Sequence, residues 1–229
     1  MNFFTIELTF VRDILGSQPA NAAILREYIK KKMLTGKTGL SGEVAAAKIE
    51  EEIENRKKDP VIVEREEQID ELADKGLTIF HRNGEGKASI CDIQLRGFFK
   101  KAFTQVGKNM KVLSKKDGSD FSGDEKYRKW IGDRISFTDQ YYPLDGEIDI
   151  YTRPIRFNRM GHEESSLKSS ERLRAPQKIK FEIVTNGVTE DVIKACLEQG
   201  RFYGISEQNN AQYGMFKYQI LEAVTTRDA

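Results

Sequence analysis

The chain has 229 residues, 38% of them hydrophobic and 32% charged, with a formal net charge of +1. That is enough apolar content for a core, and the total charge is too balanced to name a partner. Two cysteines and two histidines lie far apart without metal-ligand spacing, and no apolar run approaches the ~18 residues of a membrane span. These numbers predict a soluble chain of a reducing compartment, the cytoplasm, with no cofactor, no metal and no membrane partner; Cys91 and Cys196 read as small core residues.

In chain order, Phe4, Ile6, Leu8 and Phe10 alternate with Thr5, Glu7 and Thr9, the period of a half-buried strand. Pro19 opens a helix bearing Ile24, Leu25, Tyr28, Ile29 and Met33, and two further helices follow, one capped by Ser41 and the next restarting after Asp59 and Pro60. This helical insertion, 17–76, reads as a solvated lid or a surface for a neighbouring subunit. Charge is uneven: residues 41–76 hold twelve acidic and six basic side chains, 96–134 eleven basic and five acidic, and 151–180 eight basic and three acidic.

Residues 78–93 are extended and interrupted by Asn83, Gly84, Glu85 and Gly86, a hairpin signal. Leu95, Phe98, Phe99, Ala102, Phe103 and Val106 then recur at helical spacing, the strongest periodic signal in the chain. Residues 107–126 read as a mobile loop, 134–138 as a strand edge and 147–156 as an extended run. Between 151 and 176, arginine-bearing arms flank a polar middle, 161–170, and predict a long, thumb-like projecting hairpin or loop. Ile179, Phe181 and Ile183 alternate with charged residues, and Thr189 caps a helix with Val192, Ile193, Cys196 and Leu197 on one face, ended by Gly200. Phe216, Tyr218 and Ile220 alternate again. The order strand, helix, strand, strand, helix, strand predicts an α+β, ferredoxin-like (βαββαβ) core within one domain, 1–229.

Three stretches resemble the RAMP superfamily, the ferredoxin-fold proteins that include backbone subunits of CRISPR effector complexes. They are the strand-to-helix entry at 92–101 (DIQLRGFFKK), the strand entered through a proline at 171–183 (ERLRAPQKIKFEI), and the glycine-bearing loop at 200–216. The resemblance implies a palm, a thumb at 151–176, and subunits that stack head to tail along a single nucleic-acid strand, with other protein subunits as further partners. A repeated heterologous contact of that kind gives a helical filament. A phage or mobile-element relative fits the large insertion and the late loop, which after Gly200 holds only Gly204 and Gly214.

The candidate contacts with single-stranded RNA or DNA are Arg96, Lys100 and Lys101 at the main helix, and Arg153, Arg156, Phe157, Arg159, Arg172 and Arg174 on the arms. Tyr203 and Tyr213 bracket the late loop. Arginine pairs with phosphate through parallel donors, and aromatic rings stack bases. Each pattern also fits a solvated face, an intramolecular ion pair or core packing. An alternative reading is a metal-independent endoribonuclease using His81 or His162; a second is a protein that docks on a protein partner. No residue is assigned a catalytic role.

Overall fold

A computed structural model describes residues 1–20, 76–113, 123–159, 162–206 and 212–225, by backbone alone at 155–159, 162–166 and 225. In chain order the elements are β1 (Asn2–Phe10), β2 (Ile14–Leu15), β3 (Gln18–Pro19), β4 (Thr78–Ile79), β5 (His81–Arg82), β6 (Ala88–Cys91), α1 (Asp92–Asn109), α2 (Glu125–Gly132), β7 (Ile135–Phe137), β8 (Tyr141–Pro143), β9 (Ile148–Arg159), β10 (His162–Leu173), β11 (Gln177–Thr185), α3 (Glu190–Glu198) and β12 (Phe216–Thr225). The chain divides into two compact units, one comprising 1–14, 90–144 and 175–229, the other 15–89 and 145–174.

In the first unit the sheet order is β12, β1, β11, β7, with every neighbour antiparallel. The last strand lies beside the first, the first beside the third and the third beside the second, with α1 and α3 in the two crossovers. That is the split β-α-β topology. The fold is α+β and ferredoxin-like.

The alternation in β1 buries Phe4, Ile6, Leu8 and Phe10, and that in β11 buries Ile179, Phe181 and Ile183. The stripe of α1 buries Leu95, Phe98, Phe99, Ala102, Phe103 and Val106. Phe98 lies 5.1 Å from Phe216 and Phe99 6.2 Å from Phe137, centroid to centroid. Each such ring contributes ~1.5–3 kcal/mol by leaving water. Trp130 of α2 stacks on Phe103 at 4.9 Å, at the edge of this core.

The extended run 147–156 is a strand, but it belongs to the second unit. The second strand of the four-stranded sheet is β7, read from sequence only as an edge. The reason is pairing: β9 matches β10 residue for residue from Ile148 opposite Leu173 to Arg159 opposite His162. The polar middle expected at 161–170 is therefore mostly strand. β10 also pairs parallel with β4, and β4 antiparallel with β3.

Pro19 does not open a helix at its own position. It pairs with Thr78 in β3, at the end of that sheet's strand order, where a residue without an N–H is tolerated. The rest of the expected helical insertion, 21–75, lies outside the described residues, as do 114–122 of the expected loop at 107–126. Of that loop, 107–109 complete α1. The hairpin signal at 83–86 holds: Gly86 has φ +80, its N–H donates to Asn83 O at 2.9 Å, and Asn83 Oδ1 accepts from Glu85 and Lys87 N–H.

Candidate nucleic-acid interface

The three candidate cations of α1, Arg96, Lys100 and Lys101, diverge. Arg96 turns to the end of α2 and the start of β7, where Nη1 donates to Gly132 O at 3.3 Å and Ile135 O at 2.9 Å while the guanidinium lies 5.6 Å from the Phe137 ring. Lys100 runs beneath Gly132, where a Cβ would press on its stem. Burial lowers the pKa of its amine, and Arg96 adds to the effect, against Asp133. The start of α1 is already answered, since Gln94 Oε1 accepts from Cys91 N–H at 3.0 Å and Asp92 supplies an acidic first turn. These residues do not form the anion-binding helix start that the sequence allows.

Lys101 goes elsewhere. Its Nζ sits 4.4 Å from the centroid of the Tyr203 ring, and burial lowers its pKa. Tyr203 and Phe202 both donate their N–H to Gln199 O, at 2.8 and 2.9 Å, in the turn that follows α3. Gly204 lies so close to Tyr213 that a Cβ would collide with the Tyr213 carbonyl, and Ile205 N–H donates to Gly214 O at 3.0 Å. Gly214, at φ +66, donates its own N–H to Asp13 O at 2.8 Å. Glycine is needed at both positions, by close approach at 204 and by backbone conformation at 214. The legs of the late loop are thereby clamped together; 207–211 lie outside the described residues.

This clamp presents a residue that the sequence reading passed over. Phe202 is 68% exposed, beside half-buried Tyr203 and exposed Arg201, whose guanidinium meets Glu198 at 3.1 Å. Its available signal was an aromatic just past the helix-ending Gly200, beyond the last position that α3 can bury.

In the second unit the arginine arms are largely engaged. Arg172 holds Asp149 through two donors at 2.8 and 2.6 Å and lies 4.7 Å from the Tyr151 ring. Arg174 is exposed and meets the same carboxylate at 3.2 Å. The hydrogen bond from Arg172 is the main reason that Asp149 is held at about 2, with burial opposing. Arg153 is 7% exposed, with Nη1 3.4 Å from Ser170 Oγ, so it is turned into its unit and is no ready phosphate contact. Arg156, Phe157 and Arg159 oppose Ser165, Glu164 and His162 in the ladder.

Deeper in this unit, Arg82 and Glu171 form a buried pair at 2.7 Å, and Glu171 also accepts the Phe80 N–H at 2.7 Å. His81 is half-buried, its Nδ1 2.7 Å from Gln18 Nε2, an arrangement in which the amide donates and the neutral ring carries its proton on Nε2. Cys91 and Cys196 are buried and unbridged, and burial pushes the Cys196 thiol up to about 12. Among the described residues no group of three or more His, Cys, Asp or Glu side chains could hold a metal, and no helix is long and apolar enough to cross a membrane.

No protein-family model and no curated protein matches the sequence. Among solved structures, the chain is similar to one described as the cryo-EM structure of the Type III-B Cmr-beta bound to cognate target RNA. The two are 10% identical with a TM-score of 0.47, over 97% of this chain and 60% of that one. The chain thus spans about 60% of that chain's length.

Proposed function

We propose that the chain binds single-stranded nucleic acid, RNA ahead of DNA, gripping phosphates and stacking bases with little base selectivity. In this reading it is a RAMP-like subunit, of CRISPR-backbone or phage origin, that stacks head to tail along the strand beside other protein subunits. The observation that carries the reading is the exposed Phe202 ring next to the Lys101 and Tyr203 pair, on a loop fixed by Gly204 and Gly214. Single-strand binders combine an aromatic platform with a cationic track, and Lys101, over the Tyr203 ring, and Arg201, next to Phe202, are the cations at that loop. The ferredoxin-like topology and the three family-like stretches are consistent with it.

The test is a fluorescence-anisotropy titration of labelled single-stranded RNA, single-stranded DNA and duplex RNA across a salt series. Two cations predict a log–log slope of about −1.4 on salt for single strands, at ~0.7 counterions released per phosphate. RNA should bind more tightly than DNA, and duplex weakly. No binding to any single strand at low salt would overturn the proposal.

A further inference from the structure

The two edges of the four-stranded sheet are treated differently. At β7, Arg134 O and Thr138 N–H are bonded to β11. By the alternation of an antiparallel ladder, Ile135 therefore turns its carbonyl outward, and that carbonyl accepts from Arg96. This edge is three residues long and capped by a guanidinium, which closes it to a further strand.

The other edge has no partner strand among the described residues. β12 runs for ten residues as the outer strand there. Val11 N–H bonds Met215 O at 2.8 Å, so the same alternation turns Lys217 and Gln219 toward β1 and the N–H and C=O groups of Tyr218 and Ile220 outward. Beyond Ile220 a bulge at Leu221 shifts the register, leaving Leu221 44% and Val224 43% exposed. Alongside, Glu190, Lys194, Glu198 and Arg201 line a groove of about 510 Å³ with residues 217–223 of this strand.

We infer that the outer edge of β12 pairs antiparallel with β12 of a second copy of this chain, about a two-fold axis at Gln219. In that register Tyr218 of each copy faces Ile220 of the other and exchanges both backbone hydrogen bonds. Lys217 faces the Leu221 bulge and reaches Glu222 of the second copy. Lys217 and Glu222 suit this, because β1 sets them opposite Thr9 and Thr5, both on the sheet face away from the helices. Lys194 and Arg201 are already answered by Glu190 at 2.7 Å and Glu198 at 3.1 Å, leaving the strand's own Lys217 and Glu222 to select the register. With Glu190, Glu198 and Glu222 set against Lys194, Arg201 and Lys217, the groove carries no net charge to draw a polyanion, and the capped β7 edge excludes a head-to-tail extension of the sheet. The contact is isologous and closes on itself. It stands independently of nucleic-acid binding.

Sedimentation velocity of the whole protein over a wide concentration range tests it. The expected result is a reversible monomer–dimer equilibrium. Ile220→Pro removes an outward N–H while leaving the bonds to β1 in place, and it should abolish the dimer with far-UV dichroism unchanged. Lys217→Glu and Glu222→Lys should each weaken dimerisation roughly tenfold, two like-charge contacts being created per dimer, and their combination should restore it. Should the proline variant unfold, the charge reversal and its rescue decide. A monomer at every concentration, or a dimer indifferent to both reversals, would overturn the inference.

Discussion

The two units differ in where they keep ion pairs. In the ferredoxin-like unit the core is aromatic and aliphatic, Arg96 caps Ile135 O, Lys101 lies over Tyr203 and Arg134 4.5 Å from the Trp130 ring, and pairs such as Lys194 with Glu190 and Arg201 with Glu198 stay exposed. The hairpin-bearing unit buries an ion pair, Arg82 with Glu171, and gathers Arg172 and Arg174 onto one carboxylate. A cluster of arginines is thus a poor measure of binding capacity. What counts is whether each guanidinium already has its anion.

The sharpest way to break this contrast is within the buried pair. Glu171→Ala leaves the Arg82 charge in an apolar setting and should cost about 3–5 kcal/mol, read from urea unfolding. Adding Arg82→Met should recover most of that loss, because removing both charges also removes the desolvation penalty. A loss below 1 kcal/mol for the single change, on the scale of an exposed pair, would mean that water reaches the site. Next comes Gly204→Ala, whose methyl group meets the Tyr213 carbonyl; about 1–3 kcal/mol of destabilisation is expected, with weaker RNA binding in step.

The smallest effects lie on the arms. Arg172→Ala should change single-strand affinity less than twofold, its donors being taken up by Asp149, whereas Asp149→Asn should tighten binding by freeing both arginines. The sign with pH follows from the lowered pKa of Asp149. Its contribution is fully present above the unfolded value near 4 and is lost as pH falls through about 2. A carboxyl titration followed by NMR should therefore show the arms unchanged between pH 7 and 5.

The sheet was largely legible because β1, β11 and the first half of β12 alternate, and because α1 and α3 each keep one apolar face. β7 was legible only as a strand edge at 134–138, since three residues carry no period that says which sheet they join. The hairpin of β9 and β10 was legible as two arms about a polar middle, but the buried part of β10 was not, for a different reason. Its buried residues Ser169, Ser170 and Glu171 are satisfied by hydrogen bonds to Thr152, Thr78 and Arg82, so a buried strand was written in polar letters. The same limit held at the candidate interface. The pairing of Lys101 with Tyr203 and of Arg172 with Asp149 joins residues far apart in the chain, which no local pattern reports. Phe202 could have been found, as an aromatic stranded past the end of its helix.

The most direct measurement is the affinity of single-stranded RNA for Phe202→Ala beside the unaltered protein, at one fixed salt concentration. Removal of an exposed stacking ring should weaken binding by roughly five- to a hundredfold and leave the melting temperature unchanged. Equal affinity in the two proteins would contradict the account.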